Sequence, residues 1–115
     1  MLNIIKTKTF DKNLEECSSI RGLQNIMEEI MFELISSDIK TLYKCDGKRK
    51  KRLKGIPKDI IVIRYRIREY RMLYSVIQNA CDSNTTIIVA FGHRKKVYLN
   101  PKNELLCKVQ ELRSK

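Results

Sequence analysis

Four closely spaced arginines are the residues of this sequence whose type and spacing point most directly to chemistry. Arg64, Arg66 and Arg68 alternate with apolar residues, and Arg71 follows in the next apolar run. Because successive side chains of a β-strand point to opposite faces, the first three arginines are predicted to share one face. A tight turn at Arg68 and Glu69 would bring Arg71 beside them. A guanidinium donates two parallel N–H bonds to a phosphate and keeps its charge at any accessible pH, so the cluster is typical of a phosphodiester-binding site.

A second basic segment, GHRKKVY at Gly92 to Tyr98, is predicted to lie at the end of a third strand. If the outer strands pair with the central one, Arg94 and Tyr98 approach Arg71 from the side. His93 alternates with Arg94 and should face the other way, so we interpret it as a structural histidine rather than a catalyst. The alternative interpretation of the arginines is solubilising surface charge, which normally mixes lysine with glutamate.

The net charge of +11 is large for 115 residues and is concentrated in the middle of the chain. Residues 40–75 carry thirteen Lys and Arg against three Asp and Glu, whereas residues 1–39 have a negative net charge. A field of this strength attracts polyanions such as nucleic acid and acidic partner proteins. We predict a charged connecting loop over residues 44–58. The predicted RNA-binding residues are Lys48, Arg49, Lys50, Lys51, Arg52, Lys54, Arg68, Lys95 and Lys96.

Hydrophobic periodicity predicts the elements of the N-terminal third. Residues 3–10 read as an edge strand, and Asp11 is a reasonable N-cap for a short helix. Apolar residues from Leu23 to Leu34 then follow the spacing of one helical face. The first part of the chain is therefore predicted to be a strand followed by two helices.

Three β-branched and aromatic runs predict an antiparallel meander after the connecting loop. These runs are residues 60–67, 70–78 and 85–91. A C-terminal helix is predicted with Asn100 as its N-cap and Pro101 at its first position. The order indicates a single α+β domain over residues 1–115, with helices on one face of the sheet and the other face free. The C-terminal helix is expected either to pack on the sheet or to serve as a contact surface.

Metal and membrane sites are not indicated by the sequence. The four cysteines are far apart with no CxxC pair, and His93 is the single histidine, so a zinc site has too few ligands. The glycines are isolated, so no glycine-rich phosphate loop is present. We therefore expect no metal, no cofactor and reduced thiols. The absence of a long apolar run, a cleavable signal or a lipidation motif predicts a cytoplasmic protein without membrane contact.

Three segments resemble, in order and spacing, the signature of RelE-type messenger RNA interferases in the RelE/ParE toxin superfamily. They are LKG at 53–55, YRIREYRMLY at 65–74 and GHRKKVY at 92–98, and the resemblance extends over about the whole domain. It implies a RelE-like fold. It also implies that Arg71 stabilises charge on the scissile phosphate, that Arg94 acts on the leaving oxygen and that Tyr98 stacks on a base. Arg64 and Arg66 stand where RelE itself has lysines, one of which is implicated in deprotonating the nucleophile.

The resemblance further implies a type II toxin that cleaves messenger RNA on the ribosome without a metal ion. The RNA 2′-hydroxyl would attack the adjacent phosphate and leave a 2′,3′-cyclic phosphate and a free 5′-hydroxyl. Messenger RNA, ribosomal RNA and a cognate antitoxin protein are the implied partners. An arginine is a poor general base because it rarely loses its proton. A lysine of residues 48–54, or His93, could supply that function instead.

Two other functions compete with RNA cleavage. The ParE branch of the same superfamily poisons DNA gyrase, and the fold alone does not separate it from RelE-type enzymes. ParE-type proteins usually lack the full set found here at Arg71, Arg94 and Tyr98. A non-catalytic RNA-binding or ribosome-binding module is the third possibility, and charge alone supports it.

Overall fold

The computed structural model describes residues 2–78 and 85–113, which form a mixed sheet flanked by helices. In these ranges the strands are β1 (Leu2–Lys6), β2 (Lys50–Arg52), β3 (Ile63–Ile67), β4 (Tyr70–Gln78) and β5 (Thr85–His93). The helices are α1 (Phe10–Glu15), α2 (Leu23–Ser36), α3 (Ile39–Tyr43) and α4 (Asn100–Arg113). The predicted α+β class is confirmed, with its N-terminal strand, two-helix hairpin, antiparallel meander and C-terminal helix. None of the described helices is long and apolar enough to span a membrane.

The sheet has the strand order β1-β5-β4-β3-β2. Strand β1 runs parallel to β5, and the other neighbouring strands are antiparallel. The predicted tight turn between β3 and β4 is confirmed, because Ile67 pairs with Tyr70 and only two residues connect them. Arg68, the first of these, has a φ of +54°, in the left-handed region that tight hairpin turns require. This short connection fixes which residues of β3 and β4 lie opposite one another.

The first face of the sheet, which we define as the face covered by α1 and α2, contains the larger apolar cluster. Helix α2 buries Leu23, Met27, Ile30 and Leu34, the positions predicted from its periodicity. Phe10 of α1 lies in the same cluster. The sheet contributes every second residue of the central strands, namely Ile63, Tyr65, Ile67, Met72, Tyr74, Ile87, Val89 and Phe91. The apolar side of α2 and the inward-facing residues of the strands therefore pack together in one apolar layer.

The second face was expected to be free, and this expectation was wrong. Helix α4 packs on it through Leu105 and Val109, in one cluster with Leu73, Ile88 and Ala90. These three strand residues alternate with the buried residues of the first face, so the middle of β4 and β5 is apolar on both sides. A strand with this pattern needs cover on both faces. The C-terminal helix supplies it for the middle of the sheet.

Several element boundaries differ from the sequence-based predictions for local reasons. Strand β1 ends at Lys6, and Thr9 rather than Asp11 is the N-cap of α1. Asp38 was expected only to end α2, but it also begins a further helix. Its side chain accepts the Thr41 N–H at 2.8 Å and so caps α3. Helix α4 includes Asn100 as its first residue.

The connecting loop of residues 44–58 also differs from its prediction, because it contains strand β2. Three residues are too few to show a period, and β2 is defined by its pairing with β3 instead. Strand β3 begins at Ile63 rather than at residue 60. The predicted loop between β4 and β5, residues 79–84, lies outside the described residues.

The packing of α4 on the second face predicts how much its core residues contribute to the free energy of unfolding. Leu105 is fully buried, so Leu105→Ala should lower the free energy of unfolding by about 2–5 kcal/mol in urea denaturation followed by circular dichroism. Leu99 precedes the helix and is 62% exposed, so Leu99→Ala is the matched control. This substitution should change the free energy of unfolding by about 0.5 kcal/mol or less. Equal effects of the two substitutions would mean that α4 does not hold the second face closed.

Candidate nucleic-acid interface

A basic patch occupies the part of the second face that α4 leaves uncovered. We define it as Lys51, Arg64, Arg66 and Arg71. Arg66 pairs directly with Arg71 across β3 and β4, and Lys51 pairs directly with Arg64 across β2 and β3. The predicted common face of Arg64, Arg66 and Arg71 is therefore confirmed. Like charges in directly opposed positions destabilise a sheet, so a bound anion would stabilise this arrangement.

Arg71 is half-buried at the centre of the patch, and its side chain is held by the turn. Its Nη1 donates to the carbonyl oxygens of Arg68 and Tyr70, both at 2.8 Å. Burial lowers the pKa of Arg71 below its ordinary value. The Tyr98 side chain has the opposite effect and raises the pKa of Arg71.

Three other arginines act on Arg71 in the same direction as burial. They are Arg64, Arg66 and Arg94, and repulsion from each of them lowers the pKa of Arg71 further. Together with Arg71 and Tyr98, these three make up the five residues that the sequence analysis assigned to the reaction. The fold thus brings the other four within electrostatic range of Arg71.

Arg64 has unused hydrogen-bonding capacity inside the patch. Its Nη2 donates to the Lys48 carbonyl oxygen at 2.8 Å. Its Nε is buried and has no hydrogen-bond partner in the described part of the chain. A buried donor without a partner is energetically unfavourable.

Arg94 reaches the patch from a turn rather than from a regular strand. Strand β5 ends at His93, whose carbonyl oxygen accepts the N–H groups of Lys96 and Val97, both at 2.8 Å. Glu69 holds Arg94 twice, because its carbonyl oxygen accepts the Arg94 N–H at 2.9 Å and its carboxylate contacts Nε at 2.8 Å. Sequence reasoning missed Glu69 as a partner, although it is the acidic residue of the turn that precedes Arg71.

The basic connecting loop is folded around Asp46. One carboxylate oxygen accepts the backbone N–H groups of Lys48, Arg49 and Lys50 at 2.8, 2.8 and 3.0 Å. These hydrogen bonds lower the pKa of Asp46 below its ordinary value. The loop thereby presents the Lys48 carbonyl that Arg64 uses.

The predicted RNA-binding residues of this segment do not share one face. Lys51 lies in the basic patch, whereas the Lys50 ammonium lies 5.6 Å from the ring centre of Tyr74, a first-face residue. Arg49 lies 5.9 Å from the ring centre of Tyr65, which is also on the first face. The alternation along β2 places Arg52 with Lys50, and Lys48 and Lys54 are exposed in the loops on either side.

Arg68 was predicted to share the face of Arg64 and Arg66, and that prediction was wrong. Alternation stops at Ile67, and the turn directs the Arg68 guanidinium to the carbonyl oxygen of Arg21, with Nη1 at 3.0 Å. Lys95 and Lys96 are also away from the patch, because they line a cleft beside Tyr70 and His93.

His93 lies on the first face, as expected from its alternation along β5. Its ring contacts the ring of Tyr70 edge-on, with 5.5 Å between ring centres. The sheet therefore separates His93 from Arg71. Among the described residues there is no group of three or more His, Cys, Asp or Glu placed to hold a metal ion.

Comparison with known proteins identifies a family for this chain. The family model described as ParE toxin of type II toxin–antitoxin system, parDE, matches residues 4–98, which include all of the basic patch, Arg94 and Tyr98. No curated protein and no solved structure matches.

The opposed cations predict how the patch responds to phosphate. Inorganic phosphate should raise the melting temperature more than sodium chloride at equal ionic strength, and Arg66→Ala should remove most of this difference. At low salt, Arg66→Ala should melt at the same temperature as the parent or higher, because a like-charge pair worth roughly 0.2–1 kcal/mol is gone. Scanning fluorimetry measures both effects. Arg21 is exposed, so Arg21→Ala is the matched control. An unchanged phosphate response in Arg66→Ala would show that the patch binds no phosphate.

Proposed function

This chain belongs to the ParE toxin family of type II toxin–antitoxin systems, and from that premise we propose that it is a metal-independent endoribonuclease that cuts messenger RNA on the ribosome. Membership of the family makes the chain a toxin with a cognate antitoxin as partner. The finer assignment, RNA cleavage, rests on the basic patch. The net charge of +11 is consistent with both an RNA substrate and an acidic antitoxin segment.

The observation that carries the proposal is the direct opposition of Arg66 and Arg71, with Arg64 and its unpartnered Nε beside them. Such a site is preorganised for an anion whose charge grows during a reaction. In the proposed reaction the 2′-oxygen of RNA forms a bond to phosphorus as the bond to the 5′-oxygen breaks. A base takes the 2′-hydroxyl proton, and the leaving 5′-oxygen takes a proton from solvent water. Arg71 stabilises the negative charge on the phosphate oxygens.

Arg94 and Tyr98 complete the proposed site from the turn after β5. Arg94, held by Glu69, acts on the leaving 5′-oxygen as an electrostatic partner. Tyr98 is half-buried, and its ring orients a neighbouring base by stacking. Lys48 and Lys54, exposed in loops, contribute contacts to ribosomal RNA that should weaken steeply with salt.

Lys51 is the proposed general base. It lies directly opposite Arg64 on the face of the patch, and a lysine can lose a proton where an arginine does not. His93, the other candidate, lies on the opposite face against Tyr70. The position of Lys51 follows from strand pairing, so the sequence alone left this choice open.

A second candidate, poisoning of DNA gyrase, is favoured by the family match itself. That activity requires a protein surface that binds gyrase and no group that acts on an RNA phosphate. Substitutions in the basic patch therefore distinguish the two functions.

The first prediction of this proposal is that Arg71→Ala cuts RNA on the order of 10²–10³ times more slowly than the parent. The substitution opens no core cavity, so the melting temperature should change little. Purified protein is incubated with translating ribosomes, and 5′ ends are mapped on the message. Arg21→Ala, an exposed arginine outside the patch, should cut at the parental rate.

A gyrase supercoiling assay with the same variants gives the opposing result. The gyrase assignment replaces the one proposed here if the parent inhibits gyrase and cuts no RNA, and if the Arg71→Ala variant is still toxic. If the parent binds ribosomes without either activity, the binding-module interpretation replaces it.

The second prediction concerns the proposed base. Lys51→Arg keeps the positive charge and removes the group that accepts the proton, so RNA binding should persist while the cleavage rate falls on the order of 10²–10⁴-fold. Fluorescence anisotropy measures binding, and mapping of 5′ ends measures cleavage. Lys58→Arg, exposed in the loop after β2, is the matched control and should cut at the parental rate. Parental cleavage by Lys51→Arg would exclude Lys51 as the base.

A further inference from the structure

A cleft on the first face lies directly behind the basic patch and is not used by the proposed reaction. It lies between α1, the adjoining ends of β4 and β5, and the turn that precedes α4. Its volume is about 450 Å³, within the usual range for small-ligand sites. Tyr70, His93, Lys95, Lys96 and Glu16 are among its lining residues. It therefore combines aromatic rings with two cations and a carboxylate.

The rings in the cleft are held in fixed orientations. Tyr70 stacks on Phe91 with 5.5 Å between ring centres and 14° between ring planes. His93 stands on Tyr70 at 85°, so its half-buried ring projects from the aromatic layer. A hydrogen bond with Cys17, together with burial, raises the pKa of Tyr70. Rigid rings of this kind are platforms on which nucleobases stack.

The polar groups of the cleft suit a nucleotide. His93 Nδ1 accepts the Lys95 N–H at 3.2 Å, which leaves Nε2 as the ring nitrogen that can donate to a ligand. Glu16 supplies an acceptor for an exocyclic amino group, and its side chain is exposed. Lys95 and Lys96 are exposed and supply cations for a phosphate. A base stacked on the His93 ring, with its backbone along the lysines, would contact all of these groups.

The cleft and the patch are connected through strand pairing and through one turn. Tyr70 immediately precedes Arg71, and their partners on β5 are His93 and Gly92. The two sites therefore lie at the same end of the sheet, on opposite faces. The turn continues this relation, because Arg94 acts on Arg71 whereas the next residue, Lys95, lines the cleft.

We propose that this cleft binds the base of a nucleotide next to the cleaved phosphate, so that single-stranded RNA passes over the end of the sheet from one face to the other. The inference rests on RNA as the substrate of the proposed function. Consecutive residues, Arg94 and Lys95, place one cation beside the patch and the next in the cleft, which suits a continuous nucleic-acid backbone better than a separate small molecule. Because the base is enclosed by His93 and Glu16, the cleft would also contribute to sequence preference.

The experiment measures binding separately from cleavage. Short single-stranded RNA is bound to the Arg71→Ala protein, which retains the cleft, and affinity is followed by fluorescence anisotropy. Lys95→Ala/Lys96→Ala and His93→Ala, each in this background, should weaken binding roughly tenfold, the typical effect of losing one stacked or charge-paired nucleotide. Lys40→Ala/Lys44→Ala removes the same charge from exposed positions at and after α3 and should bind as the Arg71→Ala parent does.

RNA that carries 4-thiouridine gives a second and direct readout. Irradiation should crosslink it to peptides containing Tyr70 or His93, as mapped by mass spectrometry. If His93→Ala lowers the melting temperature, the lysine pair and the crosslink carry the test, because neither alters the aromatic layer.

The outcomes separate this inference from the proposed function. Crosslinks in the cleft and weakened binding by its variants support the inference even if the parent cuts no RNA. The inference is overturned if Lys95→Ala/Lys96→Ala does not weaken RNA binding and if crosslinks form only on other surfaces. This holds even if the active protein cuts RNA normally. In the active protein, His93→Ala should shift the positions of cleavage on a message, and an unchanged cleavage map would also contradict the inference.

Discussion

The opposition of Arg66 and Arg71 is the constraint on which the basic patch depends. Two cations in this position repel one another, so the hairpin must be fixed by interactions elsewhere. Ile63, Tyr65 and Ile67 provide them, because they are buried on the first face and alternate with the arginines. Sliding β3 by a single residue would move the arginines into the apolar cluster. The apolar first face and the two-residue turn therefore hold Arg66 and Arg71 opposite one another despite their electrostatic repulsion.

The two faces of the sheet have different roles along their length. In the middle, Leu73 and Ile88 are covered by α4, and at one end the same face becomes basic. The change occurs within β4, where Arg71 and Leu73 are two residues apart on one face. Helix α4 thus sets the limit of the patch. The family match by itself does not identify the target, and the proposal of RNA cleavage rests on the side chains beyond this limit.

Periodicity predicted the parts of the structure that repeat, and it failed where pairing or a turn decides. The alternation of Arg64 and Arg66 and the helical spacing from Leu23 to Leu34 were sufficient to assign their faces. Arg68 was misplaced because a turn ends the alternation. Strand β2 and the position of Lys51 depend on which strand lies alongside, and a three-residue segment does not encode its partner. The covered second face could have been inferred from the unbroken apolar run of β5, because only a strand buried on both sides has this composition.

The parallel pairing of β1 with β5 has a consequence for how the chain acquires its structure. Residues 2–6 find their partners at residues 85–89, so the first strand to be synthesised is among the last to be paired. Contacts that are so distant in sequence slow folding, because a long loop must close before any hydrogen bond compensates for its lost entropy. Until β5 emerges from the ribosome, β1 remains an unpaired strand with open hydrogen-bonding groups, a form prone to association with other chains. Synthesis of the toxin therefore includes an interval in which it is vulnerable to aggregation and its central sheet is incomplete.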